Sequence, residues 1–296
     1  GTVLMQAKHA GKLLAGKRAL VIGGTAGIGA GIAKRLAKAQ VQVTIVGRNE
    51  QRGNEIIQHL KSFSDLPHEF MSCDVQLLSN IKQLTKNYSE KNNSLDYLIM
   101  SQCIATLQGR TPTTEGIDQK LSLHYYSRIA AALLLSPLIS QTNPSGGGCV
   151  LSVLSAGVHK AYQQYESDIE LKENYSLANA ANLAGFYNDL AFDQLSREFE
   201  NISFVHAAPG IVNTNWGTEM PFFIRGLIRM AQPFFRSSDD CAECMCDCFF
   251  DSKYEKGGFF LMDPNGNPAK ESSLHSDDAR NLVWAHTLEL VQPHMQ

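Results

Sequence analysis

Short apolar segments alternate with longer amphipathic segments along most of this chain. In the first amphipathic segment, Ile28, Ile32, Leu36 and Ala39 trace one helical face. Alternating strands and helices build a parallel sheet that is covered on both sides. The pattern therefore predicts an α/β fold: a Rossmann-like, doubly wound parallel sheet in a three-layer α/β/α arrangement. The segments with the length and apolar character of buried strands are residues 18–23, 41–46, 69–73, 95–100, 149–154, 202–207 and 258–262.

Glycines cluster where the first predicted strand ends, in the sequence Ile-Gly-Gly-Thr-Ala-Gly-Ile-Gly. Gly23 suits a tight turn, Gly27 a close approach of the backbone to a pyrophosphate, and Gly29 the packing of a helix on the strand. The N-terminus of that helix offers free N–H groups and partial positive charge to an anion. Strand, turn and helix together predict a dinucleotide site, which would also include Thr25 and Ile28.

Residues that follow the second and third predicted strands indicate which dinucleotide would bind. Arg48 and Asn49 follow the second strand, where a site for the unphosphorylated cofactor usually carries an acidic residue. A guanidinium there favours a 2′-phosphate and hence NADP(H), although a surface arginine at the sheet edge is the alternative. Asp74 and Val75 close the third strand, where an adenine edge would lie. Asp74 is equally suited to cap the helix that follows.

The order of these motifs resembles that of the short-chain dehydrogenase/reductase family, from about residue 16 to about residue 263. Residues 22–29 are similar to the family's Thr-Gly-x-x-x-Gly-x-Gly, with isoleucine in the threonine place, and Asp74-Val75 is similar to its Asp-Leu/Val pair. Residues 208–214, Ala-Pro-Gly-Ile-Val-Asn-Thr, resemble its Pro-Gly-x-x-x-Thr segment. The resemblance implies that the nicotinamide carboxamide and a phosphate are held by the residues of this segment: Pro209, Gly210, Val212 and Thr214.

The resemblance also assigns an active site, in which the lysine is missing. Ser155 ends the fifth strand as the counterpart of the catalytic serine, with Ser152 as the less favoured candidate. Tyr175 matches the tyrosine of Tyr-x-x-x-Lys, and Asn179 stands in the lysine place. Loss of that charge costs on the order of ten- to thirtyfold in rate. Without it, Tyr175 is expected to titrate nearer its ordinary pKa of about 10, which favours reduction over alcohol oxidation.

Further departures from the family pattern surround this site. His124 falls where a helix normally presents the relay asparagine, so it is a candidate proton relay or simply a packed helix residue. Ser101 and Gln102 replace the start of the Asn-Ala-Gly motif after the fourth strand and are expected to line the cofactor site. The segment between Ser155 and Tyr175 carries residues that would restore a charge there: His159, Lys160 and Lys172.

These residues lead to one function and two alternatives. The first is the NADPH-dependent reduction of a carbonyl on a fairly apolar small molecule, with Tyr175 as acid and Ser155 as oxyanion donor. The second is a non-redox isomerisation, dehydration or cyclisation in which Tyr175 or His124 moves a proton. The third is a catalytically decayed cofactor-binding protein, since a fold does not fix a function.

Composition narrows the partners and the location. The chain has 296 residues, 44% of them hydrophobic, which suits one domain spanning residues 1–296, and its net charge of -3 lacks long runs of one sign. Nucleic acid is therefore not an expected partner. No apolar stretch is long enough to cross a bilayer and no secretory signal is evident, so a cytoplasmic location is expected. The resemblance implies a carbonyl or alcohol substrate and a homodimer or homotetramer.

Two segments near the C-terminal end leave alternatives open. Residues 214–236 form an apolar segment punctuated by glycine and proline, which suits a substrate lid, a buried or subunit-facing helix, or a membrane-surface helix. Four of the seven cysteines lie within residues 241–248, and their spacing resembles that of a metal site. Cys241, Cys244 and Cys248 fall on one helical face, so small buried side chains are the favoured interpretation and no metal is expected.

Overall fold

A parallel sheet runs through the centre of the molecule. The computed structural model describes residues 9, 11–210, 212–213 and 236–296. In that part of the chain, seven parallel strands pair in the order β3-β2-β1-β4-β5-β6-β9, and β7 pairs with β8 apart from them. Every predicted strand is confirmed, within two residues at its ends. The strands are β1 (Arg18–Ile22), β2 (Gln42–Gly47), β3 (Glu69–Ser72), β4 (Tyr97–Met100), β5 (Gly148–Val153), β6 (Ile202–Ala207), β7 (Val212–Asn213), β8 (Arg236–Ser237) and β9 (Gly258–Met262).

Helices cover both faces of this sheet, as the alternating pattern predicts. A π-helical turn (Ser122–Tyr126) joins α4 to α5, and a 3₁₀ turn (Ser252–Tyr254) precedes β9. The fold is thus the Rossmann-like three-layer α/β/α arrangement. The helices are α1 (Gly27–Lys38), α2 (Glu50–Lys61), α3 (Leu78–Lys91), α4 (Gln119–Leu121), α5 (Ser127–Thr142), α6 (Leu177–Glu198), α7 (Ser238–Met245), α8 (Asp247–Phe250) and α9 (Asp277–Met295).

Two hydrophobic cores lie between the three layers, and β1 contributes to both. Leu20 and Ile22 belong to one core, whereas Ala19 and Val21 belong to the other, because successive side chains of a strand point to opposite faces. All four are buried. Burying one Leu or Ile side chain contributes about 1.5–3 kcal/mol, so these strands are apolar along their whole length.

The strand order reverses between β1 and β4. From β1 the chain builds the sheet outward through β2 and β3, and it then returns to place β4, β5 and β6 on the other side. In doubly wound sheets, such a reversal opens a crevice at the carboxyl ends of the strands, where ligands bind. The glycine turn, Ser101 and Ser155 follow β1, β4 and β5, respectively, so all of them lie at this edge.

The structure describes the clustered cysteines but not most of the expected lid. Most of the expected lid, residues 214–235, lies outside the described residues, so the lid stays a prediction. The four clustered cysteines lie in and between α7 and α8 and are all buried, as expected for Cys241, Cys244 and Cys248. Across the described ranges, no three His, Cys, Asp or Glu side chains are arranged to hold a metal ion. No described helix has the length and apolarity that crossing a membrane requires.

Candidate active site

The glycine turn after β1 cannot accept side chains. Gly23 has φ +81°, and a Cβ there would lie 2.6 Å from the backbone nitrogen of Gln102. A Cβ at Gly29 would lie 2.2 Å from the carbonyl oxygen of Gly23, so α1 packs directly on the turn. Both distances are far below van der Waals contact. Glycine is therefore required at these two positions for the turn and the helix to meet.

The N-terminus of α1 is left open to an anion. Its capping residue, Ala26, offers no side-chain hydrogen bond, and the first turn holds no acidic residue. Other helices are capped by side chains: Asn49 accepts from the backbone of α2, Ser176 from that of α6, and Ser276 from that of α9. The free N–H groups and the helix dipole of α1 therefore suit a pyrophosphate.

A cleft of about 340 Å³ opens beside this helix end. Two basic side chains, Lys34 and Arg52, and two acidic ones, Glu55 and Asp239, face it together with the turn itself. Open helix N-terminus, glycine turn and adjoining cleft fit the phosphates of a dinucleotide. The cleft is lined by Thr25, Ala26, Gly27, Ala30, Lys34, Arg52, Glu55, Ile56, Ser238 and Asp239.

Two of the three residues expected to select the nucleotide accept hydrogen bonds from nearby backbone groups. Arg48 is exposed at the carboxyl end of β2. Asn49 Oδ1 accepts from the backbone nitrogen of Arg52 at 2.9 Å and thus begins α2. Asp74 Oδ1 accepts from the backbone nitrogen of Gln76 at 3.2 Å, which closes a local turn. The N-cap of α3 is Leu77, so the alternative role of Asp74 as cap of that helix is wrong. Arg48 and Asn49 are both exposed, and of the three side chains Arg48 alone takes part in none of the described hydrogen bonds.

The other predicted cofactor residues are spread along the same edge. Ser101 extends the pairing of β4, since its backbone nitrogen donates to the Ile22 carbonyl at 2.9 Å. Gln102 is buried, and its Oε1 has no hydrogen-bond partner among the described residues. A buried acceptor without a partner is costly, so this amide offers a ligand an unused contact. Val75 is buried in the core, and Ile28 is half-buried.

The segment after β6 is described only in part. Pro209 is half-buried, and Gly210 is exposed with φ +78°. Val212 belongs to β7 and pairs through its backbone with Arg236. Thr214 lies outside the described residues, so its expected phosphate contact stays a prediction.

Ser155 is the centre of a hydrogen-bonded cluster at the end of β5. Its Oγ lies 3.2 Å from Nδ1 of His159, and its backbone nitrogen donates to Nε2 of His206 at 3.0 Å. Room for this contact comes from Gly185 on α6, where a Cβ would lie 2.5 Å from the Ser155 Oγ. Ser152, by contrast, is fully buried and donates to Asn188 at 2.8 Å. Ser155 is half-buried and is therefore the more accessible of the two serines.

Asp189 joins two histidines in this cluster. Its Oδ2 lies 3.0 Å from Nε2 of His159, and its Oδ1 lies 2.5 Å from Nδ1 of His206. Burial opposes charge on His159, but the close contact with the Asp189 carboxylate and the hydrogen bond to the Ser155 carbonyl outweigh it and raise the His159 pKa. Burial likewise opposes charge on Asp189, yet the two histidines lower its pKa overall. For His206, burial prevails and lowers the pKa.

The Tyr175 hydroxyl forms a hydrogen bond with a carboxylate. Its Oη donates to Oδ1 of Asp118 at 3.2 Å. Burial, followed by the charge and hydrogen bond of Asp118, raises the pKa of Tyr175 well above its ordinary value near 10. This exceeds the shift expected from loss of the lysine alone and has the same consequence, a protonated phenol. Among the described hydrogen bonds, none joins Tyr175 to Ser155.

Neither Asn179 nor His124 places a positive charge beside the Tyr175 hydroxyl. The side-chain nitrogen of Asn179 donates to the carbonyl of Asn174 at 2.8 Å, which ties down the loop before α6. His124 sits in the π-helical turn, and its Nε2 accepts from the backbone nitrogen of Ile104 at 3.1 Å. Burial, with the charges of Arg128 and Lys120, lowers the His124 pKa to about 3. His124 is therefore neutral near pH 7 and does not titrate there.

The three residues named from the sequence as possible charges between Ser155 and Tyr175 lie in different surroundings. His159 is the one that reaches Ser155, whereas Lys172 pairs with Glu170 at 2.5 Å and is exposed. Lys160 is exposed, and its backbone nitrogen donates to Asn182 at 3.0 Å.

Sequence reasoning missed four of the ionisable residues that organise the site. Arg128 is completely buried on α5 and donates to the Ser152 hydroxyl at 2.8 Å, and its burial lowers its pKa to about 10. Asp118 holds Tyr175, and Asp189 and His206 hold the Ser155 cluster. A usable signal existed, since lone ionisable residues inside otherwise apolar helices or strands are rarely buried without a partner.

The comparisons with known proteins decide the family. Residues 17–221 match the family model described as short chain dehydrogenase. The chain belongs to the short-chain dehydrogenase family. The oxidoreductase AN1596 of Emericella nidulans is 34% identical over 215 residues. That match covers 71% of this chain and 63% of the relative, so the chain spans less than two thirds of that protein's length.

Two further relatives extend the comparison over more of the chain. The polyprenol dehydrogenase of Homo sapiens is 24% identical over 289 residues, covering 92% of this chain and 84% of the relative. A short chain dehydrogenase of Shigella flexneri, solved in complex with NADP, superposes with a TM-score of 0.65 at 16% identity. This superposition covers 86% of this chain and 98% of that one, which supports the same fold.

Proposed function

We propose that this short-chain dehydrogenase uses NADPH to reduce a carbonyl group on a fairly apolar small molecule. The observation that carries the proposal is the state of Tyr175, whose hydroxyl donates to the Asp118 carboxylate at 3.2 Å. A carboxylate that is ionised only accepts hydrogen bonds, so the phenol keeps its proton. A protonated phenol is the acid that carbonyl reduction needs, whereas alcohol oxidation needs tyrosinate as base.

NADPH is the cofactor that we propose for the described edge. The open N-terminus of α1 suits the pyrophosphate, and the exposed Arg48 suits a 2′-phosphate. The Shigella flexneri protein of the same fold was solved with NADP. NADPH supplies a hydride when it is bound. The residues proposed to hold it are Gly23, Thr25, Gly27, Ile28, Gly29, Arg48, Asn49, Asp74, Val75, Ser101, Gln102, Pro209, Gly210, Val212 and Thr214.

Ser155 and Tyr175 then stabilise and neutralise the negative charge that develops on the substrate oxygen. Ser155 Oγ–H donates to that oxygen as charge develops on it. Tyr175 transfers its phenolic proton to the same oxygen, which breaks its own hydrogen bond to Asp118 and yields the alcohol. Asn179 supplies no positive charge that would stabilise the resulting tyrosinate, so the reverse reaction is disfavoured near neutral pH.

An apolar substrate suits the surface near this edge. Leu107 follows β4, Val158 follows Ser155, and Leu177 begins α6 next to Tyr175, and all three are exposed large hydrophobic residues. The human relative is named for a polyprenol, which is an apolar alcohol. We therefore propose carbonyl compounds with hydrocarbon chains or rings as the substrate class. A cytoplasmic location and a homodimer or homotetramer stay predictions.

A non-redox proton transfer is the second candidate. The pair formed by Tyr175 and Asp118 favours it, because a phenol and a carboxylate at hydrogen-bond distance can move a proton without a hydride. Isomerisation, dehydration or cyclisation of an apolar compound would leave NADPH unconsumed. Cofactor consumption therefore separates the two candidates.

Replacing Tyr175 tests the proposed acid. We expect Tyr175→Phe to lower kcat for ketone reduction by on the order of 10²- to 10⁴-fold, because positioned acids contribute about this much. NADPH binding should stay within twofold of the original. The measurement is NADPH absorbance decay against a panel of aliphatic and aromatic ketones, with binding followed by fluorescence.

Tyr165→Phe is the matched control, since Tyr165 lies in the same segment between Ser155 and Tyr175 and packs on Phe186. It should leave kcat unchanged. Unchanged ketone reduction in Tyr175→Phe would refute the assigned acid, and substrate conversion with no loss of NADPH would favour the non-redox candidate.

A further inference from the structure

The Ser155 hydroxyl is held by a buried charge pair that belongs to no motif of the sequence analysis. We infer that His159 is a fixed imidazolium, clamped between Asp189 and Ser155, and that it acts as a positioning residue that strengthens Ser155 as hydrogen-bond donor to the substrate oxygen. This inference rests on the proposed function.

The distances around His159 favour a proton on each of its ring nitrogens. Nδ1 lies 2.8 Å from the carbonyl oxygen of Ser155, which only accepts. Nε2 lies 3.0 Å from Oδ2 of Asp189, which also only accepts when the carboxylate is ionised. A bare nitrogen at either place would set a lone pair against an oxygen lone pair. The contact between Nε2 and Oδ2 is an ion pair, because Oδ2 accepts no hydrogen bond among the described residues. A proton on each nitrogen makes the first contact a hydrogen bond and the second an attraction between opposite charges, so the ring is positively charged.

His206 fixes the state of Asp189 from the other side. Nε2 of His206 accepts from the backbone nitrogen of Ser155, so this nitrogen carries no proton. The proton of neutral His206 is then on Nδ1, which donates to Oδ1 of Asp189 at 2.5 Å. Oδ1 of Asp189 thus accepts a hydrogen bond, whereas Oδ2 accepts none among the described residues and lies at ion-pair distance from Nε2 of His159. A positive charge on His159 is therefore what compensates the buried carboxylate.

The charge of His159 reaches the reactive hydroxyl directly. Nδ1 lies 3.2 Å from the Ser155 Oγ, so its N–H group, shared with the carbonyl, also donates to this oxygen. With its lone pair engaged, Oγ directs its own hydrogen to another acceptor. Hydrogen bonds in a chain polarise one another, and a charged first donor enlarges the effect. Ser155 is thereby a stronger donor to developing charge than an isolated serine.

The groups that face His159 from neighbouring elements favour this assignment. Asp189 on α6 is the charge in contact, and the side chains of Asp189 and His159 are 0% and 3% exposed. His206 on β6 stacks on the ring with centroids 5.7 Å apart and is neutral. The Arg128 charge reaches His206, and the pair formed by His275 and Asp193 lies one helical turn further along α6, where Asp189 also raises the His275 pKa. Asp189 is therefore the partner that decides the charge of His159.

Titration of the histidine rings tests the charge without any catalysis. In the full chain with ¹⁵N-labelled histidine, we expect His159 to keep both ring protons at pH 6.5, the ordinary pKa of histidine, and to lose one only at higher pH. Asp189→Asn should shift this loss to lower pH. Loss of a ring proton below pH 6.5 in the unaltered chain, or a proton found on Asp189, would overturn the inference whatever the enzyme does.

Kinetics test the effect on Ser155. His159→Gln keeps neutral hydrogen bonds, and we expect it to lower kcat for ketone reduction about tenfold with the KM for NADPH unchanged. The raised pKa gives the sign: the imidazolium contribution is complete below pH 6.5 and is lost as pH rises through the His159 pKa. In the unaltered enzyme kcat should fall over that range, and His159→Gln should abolish the fall.

His275→Gln is the matched control. Its side chain pairs with Asp193 at 2.9 Å, outside the site, and its pKa is also raised, so it should leave the falling limb in place. The same limb in His159→Gln would overturn the inference. A chain that keeps both His159 ring protons but reduces no ketone would refute the proposed function and the catalytic effect together, while the charged ring would stand.

Discussion

The two halves of the binding edge are built in different ways. Around the turn after β1, the features are in the backbone: positive φ at Gly23, room made by Gly29, and the open N-terminus of α1. Around the end of β5 they are in side chains, where Ser155 is held by buried ionisable groups from its own loop, α6 and β6. The first half follows the family pattern, and the second departs from it.

This difference indicates what each half is able to change. A pyrophosphate is bound by N–H groups that every residue supplies, so the local geometry must be preserved and the sequence is restricted to glycine. The catalytic half needs a donor, an acid and a charge, which different residues can supply from different elements. The missing lysine at Asn179 is thus compatible with an intact cofactor half. The predictions below separate the two halves.

Gly29→Ala should give the largest effect on cofactor binding. Its Cβ would meet the Gly23 carbonyl oxygen at 2.2 Å, which forces the turn or the helix to move. Overpacking of this kind costs about 1–3 kcal/mol, so NADPH should bind on the order of 10- to 100-fold more weakly. Isothermal titration calorimetry measures this, with circular dichroism to verify the fold. Unaltered affinity in a folded variant would show that the turn does not hold the cofactor.

Gly185→Ala should impair the other half alone. Its Cβ would lie 2.4 Å from Cγ of His159 and 2.5 Å from the Ser155 Oγ, so the two side chains must separate. We expect kcat for ketone reduction to fall about tenfold while the NADPH dissociation constant stays within twofold. Gly109→Ala is the control, because nothing lies within 4 Å of its added Cβ. Equal losses of affinity and turnover would contradict independent halves.

Arg48→Ala should have the smallest effect, and it should be confined to one cofactor. Removing the exposed guanidinium deletes a charge-assisted contact to the proposed 2′-phosphate, so NADPH should bind about tenfold more weakly and NADH equally well. Lys61→Ala, which removes an exposed charge at the end of α2, should affect neither cofactor. If both cofactors lose affinity equally, Arg48 does not read the phosphate.

The fold and the cofactor half were open to prediction because their signals are local. Apolar runs located all seven strands of the central sheet, though not β7 and β8, and the glycines near Gly23 located the turn, since both depend on residues adjacent in sequence. Burial of the clustered cysteines followed from helical spacing in the same way. Helix periodicity and strand length carry this information without any knowledge of distant contacts.

The side-chain half could be predicted only in part, because its contacts are not local. His159 was named as a charge near the site, but its partner Asp189 is 30 residues away in sequence, and only packing brings the two within 3.0 Å. Tyr175 was identified from its motif, whereas its partner Asp118 precedes it by 57 residues. A single sequence shows that such residues are unusual in apolar surroundings and does not show which ones meet.

Hydride transfer itself is tested most directly with NADPH deuterated at C4 of the nicotinamide, on each face in separate samples. Incubation with the ketone that the unaltered chain consumes fastest is followed by mass spectrometry of the isolated product. The account predicts an alcohol with one deuterium on the former carbonyl carbon from one of the two labelled cofactors, and none from Tyr175→Phe above the residual rate. A converted product free of deuterium from both cofactors would contradict it.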